Sequence, residues 1–199
     1  MDHQINFLSL FFLTFIATAA MAMTPSSSTT TTTNQNYTNF VKTSCNSTTY
    51  PSVCLTSLLP YATAVKSNPL KLVKQALSIT LKSASSARSS VSKLAKDKNI
   101  TKGDAAVLKD CIGDIQDSIG EIKDSLQAIS TLRSSKDRKF MISNAQTWTS
   151  AAITNEDSCT DGISDEEINP AVKKKIRSSI VIIARQSSNA LYLINHLNV

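Results

Sequence analysis

From Leu70 to Leu197 the apolar residues recur at three- and four-residue steps, and two of these runs open on an Asn-Pro pair. A stripe with that spacing follows one face of a helix, so each run is an amphipathic helix whose apolar side needs a partner. Asn68-Pro69 starts the first run, carried by Leu70, Val73, Leu77, Leu81, Ala84, Val91 and Leu94 and expected to end near Lys96. Asn accepts from the first free amides, and Pro lacks the donor that would be orphaned at the first helical position. Thr101 and Asp104 form a capping-box-like start for the second run, through Ala105, Leu108, Ile112, Ile115, Ile119, Ile122, Leu126 and Ile129. A third helix is expected from Asp137 to about Cys159, with Phe140, Ala145, Trp148, Ala151 and Ala152 as its apolar residues; its pattern is the weakest. Asn169-Pro170 opens the last, with Ile176, Ile180, Ile183, Ala190, Leu191, Ile194 and Leu197. Four long helices on short loops favour an all-α, antiparallel up-and-down four-helix bundle.

The N-terminal part reads differently. Phe7 to Ala17 is an apolar run of signal-peptide length, too short to span a bilayer, and Ala20-Met21-Ala22 fits a cleavage site. No later apolar stretch approaches the roughly 20 residues of a membrane span, so the mature chain is expected to be soluble with no membrane partner. The Ser/Thr run that follows cannot bury enough apolar surface to offset chain entropy. The chain therefore divides into a signal peptide over 1–22, a flexible Ser/Thr-rich tail over 23–36 and one domain over 37–199. Within that domain, 37–66 is broken by Tyr50-Pro51 and Leu59-Pro60 into a helical hairpin, and 67–199 is the bundle. Four cysteines follow the leader: Cys45 and Cys54 flank a short loop, while Cys111 and Cys159 fall on two different helical runs that a bridge would staple. Export favours disulfides, and four cysteines allow three connectivities. Asn36, Asn46 and Asn99 head sequons that a eukaryotic secretory route would glycosylate.

Charge is distributed unevenly. Residues 66–102 carry a net +8, 103–167 a net −7 and 168–199 a net +5. The first and last bundle helices are basic and the middle two acidic, and in an antiparallel bundle each like pair is adjacent. One positive and one negative edge result, a dipole able to orient a charged partner. Nucleic acid is a poor fit for the basic edge, since the chain is read as exported and has one Trp and no interleaving of aromatic and basic residues. Catalysis lacks its usual parts. His3 is lost with the leader and His196 stands near the carboxyl end, so no Ser-His or Cys-His relay is available. The stretch from Asp157 to Ile168 distantly echoes a calcium loop, but it puts Cys159 at the third position and Ile168 where a bidentate Glu is required. No metal or cofactor is expected.

Specific motifs narrow the reading. Cys45-x3-Thr49-Tyr50-Pro51-x2-Cys54, Leu108-Lys-Asp-Cys111, the stretch from Thr147-Trp-Thr-Ser-Ala-Ala-Ile-Thr-Asn-Glu-Asp-Ser to Cys159-Thr-Asp-Gly162, and Asn189-Ala-Leu-Tyr-Leu-Ile194 resemble the plant invertase and pectin methylesterase inhibitor family. The resemblance spans nearly the whole mature chain and is nearer the pectin methylesterase inhibitors. It implies a secreted, apoplastic cell-wall protein with bridges Cys45–Cys54 and Cys111–Cys159, no enzymatic activity, and reversible occlusion of an esterase's substrate cleft in a 1:1 complex. Inhibition of cell-wall or vacuolar invertase is the alternative within the same fold. The resemblance also puts the contact surface on the middle helices, at Asp114, Asp117, Asp157, Ser158 and Asp161. Gly113 and Ile115 depart from the Glu and Tyr that relatives often carry there. A third reading, from another class, is a wall-retained structural protein whose basic edge holds anionic, de-esterified pectin directly.

Overall fold

The computed structural model describes residues 27–165 and 168–198. The signal peptide reading, over 1–22, and the first residues of the tail lie outside the described residues. In chain order the elements are α1 (Ser27–Asn46), α2 (Pro51–Leu58), a single 3-10 turn (Leu59–Tyr61), α3 (Ala62–Val65), α4 (Pro69–Leu94), α5 (Lys102–Thr131), α6 (Arg138–Asp165) and α7 (Pro170–Asn195). There is no strand among the described residues.

The caps behave as their chemistry requires. Asn68 Oδ1 accepts from the Lys71 amide at 3.0 Å, and Asn169 Oδ1 from the amides of Ala171 and Val172 at 2.9 and 3.4 Å. Thr101 and Asp104 close a reciprocal capping box. The Asp104 carboxylate also accepts from the Asn169 amide at 3.3 Å, tying the start of α5 to the start of α7.

Helix α4 packs between α5 and α7, and α6 packs on α5 and α7, which closes the four-helix ring; α5 and α6 are the most intimate pair. The seam on each helix alternates steps of three and four. Examples are Leu108, Cys111, Ile115, Ser118, Ile122, Ser125 and Ile129 on α5, and Ile176, Ile180, Ile183, Ser187, Ala190 and Ile194 on α7, all buried. That repeat keeps one stripe facing the neighbours along the full length of a long helix.

Two elements differ from the sequence expectation. The third bundle helix ends at Asp165, beyond Cys159, and its buried seam is Ile142, Ala145, Thr149, Ala152, Glu156, Cys159 and Ile163. Phe140, assigned to the core from its apolarity, is 59% exposed because it stands two residues before Ile142, about 200° round the helix from that seam, and Trp148 is half-buried against the core. At the other end, α1 begins at Ser27, inside the segment that composition assigned to a flexible tail. Packing anchors that helix further along, where Val41 and Cys45 are fully buried and Tyr37 and Phe40 lie against the core.

The helical hairpin docks onto the bundle through specific polar contacts. Asn189 of α7 accepts from the Tyr50 amide and donates to the Tyr50 carbonyl, both at 2.9 Å. Gln186 donates to Ser57 at 3.2 Å, and the Arg185 guanidinium lies 5.3 Å from the Tyr50 ring centre. The bridges are Cys45–Cys54 and Cys111–Cys159, the first closing the hairpin and the second joining α5 to α6. Among the described residues no helix is long and apolar enough to cross a membrane.

Candidate functional site

Helix α5 carries Asp110, Asp114, Asp117, Glu121 and Asp124, spaced four, three, four and three apart. That spacing stacks five carboxylates in one line, an arrangement that opposes an isolated helix through like-charge repulsion. Asp110, Asp117 and Asp124 are exposed, and Asp114 and Glu121 half-buried. Desolvation pushes the Asp114 carboxyl above its usual range, and Asp117 and Asp110 add to the push. Glu121 is raised in the same way, by burial first and then by Asp124 and Asp117, and its Oε2 has no hydrogen-bond partner. Asp114 and Glu121 each follow by three residues a position bonded to α6, Cys111 and Ser118. The acidic line therefore runs along the α6-facing edge of α5.

Helix α6 adds Asp157, Ser158 and Asp161, all exposed. The Ser158 hydroxyl donates to the Thr154 carbonyl at 3.0 Å. Asp157 and Asp161 stand seven and three residues before Ser164, whose carbonyl and hydroxyl accept from Lys173 and Arg177 of α7 at 3.0 and 3.3 Å. These two carboxylates thus lie on the α7-facing edge of α6. The five residues expected at a contact surface fall on the outer surfaces of two adjoining helices: Asp114 and Asp117 share one edge, and Asp157 and Asp161 share another. Gly113 is exposed with open space around it, and Ile115 is a core residue.

Beneath this surface is a polar layer. Ser118 of α5 and Ser187 of α7 donate to Glu156 Oε1 at 2.7 and 2.9 Å, so one buried carboxyl joins three helices. Glu156 Oε2 has no partner. Burial drives the Glu156 carboxyl up to about 7; the two serine bonds pull it down and Asp157 pushes it further up. Nearby, Thr149 donates to the Ala145 carbonyl at 2.7 Å with its hydroxyl oxygen 3.0 Å from that of Ser125, and Ser125 donates to the same carbonyl at 3.1 Å.

All four cysteines are bridged. Among the described residues no three His, Cys, Asp or Glu side chains are grouped to hold a metal ion. The His196 ring stacks on Tyr192 with its Nδ1 2.8 Å from the Tyr192 carbonyl, far along the chain from the acidic helices. The sequon residues Asn36, Asn46 and Asn99 are exposed.

Residues 39–193, which make up most of the bridged hairpin and the bundle, match the family described as plant invertase/pectin methylesterase inhibitor. The chain belongs to this family. Pectinesterase inhibitor 11 of Arabidopsis thaliana is 36% identical across 92% of this chain and 93% of its own length. Pectinesterase inhibitor 4 of the same plant is 41% identical across 81% and 82%. A crystal structure of a mutant form of an Arabidopsis pectin methylesterase inhibitor superposes with a TM-score of 0.64 at 18% identity, over 79% of this chain and 97% of that one, a likeness of fold. These relatives are inhibitor proteins, not catalysts.

For this member of the pectin methylesterase inhibitor family, the resemblance put Asp114 and Asp117 at the contact surface but not Asp110, Glu121 and Asp124. The signal was present, since the five follow the same three-and-four rhythm as the apolar stripe beside them. Glu156 was missed for a different reason: a charged residue inside a run of polar residues carries no mark of burial.

Proposed function

We propose that the protein inhibits plant pectin methylesterase by laying the outer surface of α5 and α6 over the enzyme's substrate cleft, as a reversible 1:1 complex. Asp114, Asp117, Asp157, Ser158 and Asp161 meet the enzyme, and no bond is made or broken. The observation that carries this reading is the line of five carboxylates on α5. It lies beside a bridge that fixes α5 against α6, so the charged surface is formed before the encounter and costs little ordering on binding. The family takes in inhibitors of both enzymes, and the names of the relatives support the choice of esterase over invertase. The working location is the apoplast, with anionic pectin a second partner at the basic edge.

Titrating the purified protein into a pectin demethylation assay tests the reading. The rate should fall and saturate at one inhibitor per enzyme for at least one of several isoforms. Rates unchanged across the isoforms at micromolar protein overturn it, and loss of sucrose hydrolysis in a parallel invertase assay would reassign the target.

A further inference from the structure

Helices α4 and α7 lie side by side, and each carries five Lys or Arg with no Asp or Glu. Four of these cations are engaged. Lys74 donates to the Ser130 carbonyl at 3.4 Å, Lys173 and Arg177 bond Ser164, and Arg185 sits over Tyr50. The others, Lys71, Lys82, Arg88, Lys93, Lys174 and Lys175, are all exposed.

Between the two helices runs a groove of about 450 Å³, lined by Lys82, Ser86 and Ser90 of α4 and by Ser178, Ser179 and Ile182 of α7. A second recess on α4 shares Lys82 and Ser86 with it and takes in Ser85 and Ser89, so the polar surface is wider than the groove alone. Lys93 follows Ser90 by three residues and Lys175 precedes Ser178 by three, each on the groove side of its helix. The channel is thus bounded by Lys82 at one end and by Lys93 and Lys175 at the other, three helical turns away or roughly 16 Å.

The hydroxyls are arranged to accept. Ser85 and Ser90 donate to the carbonyls of Leu81 and Ser86 at 2.8 and 3.0 Å, and Ser178 and Ser179 to the Lys175 carbonyl at 3.0 and 3.3 Å. These four donors are occupied by backbone, which leaves their oxygens to accept from a ligand's own hydroxyls. Ammonium groups at the ends and acceptor oxygens between them match a chain that bears spaced carboxylates and free hydroxyls. No aromatic side chain lines the groove, which removes the stacking platforms that single-stranded nucleic acid uses.

We propose that the α4–α7 groove binds de-esterified galacturonan, an acidic linear polysaccharide, while α5 and α6 face the enzyme. The inference deepens the second-partner reading above: family membership supplies the sugar, and the groove supplies the place and the chemistry. It does not require inhibition. The two surfaces occupy opposite edges of the bundle, so both partners fit at once. Methyl-ester hydrolysis creates the carboxylates this groove recognises, and the protein would therefore collect on polymer that its target enzyme has already processed.

Retention of the full protein on immobilised polygalacturonate is the test, beside the same polymer fully methyl-esterified, double-stranded DNA and vesicles of anionic lipid. Binding should be strongest to polygalacturonate, absent from the esterified polymer, and weakened as salt rises past about 0.15 M, where screening shortens to about 8 Å. The variant Lys82→Glu, Lys93→Glu, Lys175→Glu should lose at least about tenfold in polymer affinity and keep its inhibition of the esterase. A control with the same charge change elsewhere, Lys98→Glu, Lys136→Glu, Lys139→Glu, should lose much less. Equal loss in both variants, equal retention on esterified polymer, or tighter binding to DNA or vesicles would each overturn the proposal. A wild-type protein that binds the polymer without inhibiting any esterase would sink the inhibitor reading and leave this one standing; the reverse result would do the opposite.

Discussion

Glu156 is the residue whose chemistry departs furthest from what its type suggests. It is 1% exposed, holds two serine hydroxyls on one oxygen and leaves the other unpaired. Burial raises its carboxyl to about 7 from an ordinary value of 4.5. Between those two pH values the folded chain binds a proton that the unfolded chain has released, so stability falls as pH rises through the window. The contribution of the neutral carboxyl is fully present below about pH 4.5 and gone above about pH 7, a difference on the order of 3 kcal/mol. Glu156→Gln keeps an acceptor for Ser118 and Ser187 and removes the titration. Urea unfolding from pH 4 to 8 should therefore show wild-type stability declining toward neutrality and the variant declining less and more stable at the alkaline end, its remaining slope belonging to raised groups such as Asp114 and Glu121. Identical slopes would assign the pH dependence to other groups. Nothing in Thr154-Asn-Glu-Asp-Ser158 announces this role, because the residue's type argues for solvent and only its register on the seam puts it inside.

Register is also what separates legible from illegible elements. Helices α4, α5 and α7 could be read from sequence because their stripes are Leu, Ile and Val and their starts carry Asn-Pro or a capping box. Helix α6 follows the same three-and-four rhythm, but Thr149 and Glu156 occupy two seam positions and Ala fills two more, so hydrophobicity alone under-reports it. Of the expected stripe, Ala145 and Ala152 lie on the seam, whereas Phe140 points outward. A helix whose seam is small and polar gains less from apolar burial, and here the Cys111–Cys159 bridge supports it against α5. The sequence separations of the two bridges are 48 and 9 residues. In the chain-entropy account the longer loop contributes about 4 kcal/mol and the shorter about 2.5. Replacing Cys111 and Cys159 by Ser should cost more than replacing Cys45 and Cys54, and should loosen amide exchange along α6 before α4. Equal destabilisation by the two double variants, or protection lost from α4 first, would mean that α6 stands without its staple.

Across the whole molecule the bundle sorts its charge by adjacency: two neighbouring helices free of acids, and two others that hold most of the acids, with residues 103–167 at a net −7. This polarity was legible before any fold was known, since chain order in an up-and-down bundle decides which helices touch. What could not be read was the split of the acidic side into an α5 edge facing α6 and an α6 edge facing α7, which depends on how each helix is rotated. The split has a measurable consequence. Asp117 and Asp161 belong to different edges, so each has its own neighbours and their substitutions should act nearly independently. Reversing both, Asp117→Lys with Asp161→Lys, should weaken esterase inhibition by about one to several kcal/mol, close to the sum of the single variants. The loss should appear mainly in the association rate at low salt and shrink as ionic strength rises, because exposed charges steer an encounter over a screened distance. Inhibition constants and association rates measured for the two singles and the double at two salt concentrations decide it. A double variant that inhibits like wild type would move the enzyme contact off α5 and α6, whereas strong coupling between the two positions would show that the edges meet the enzyme as a single patch.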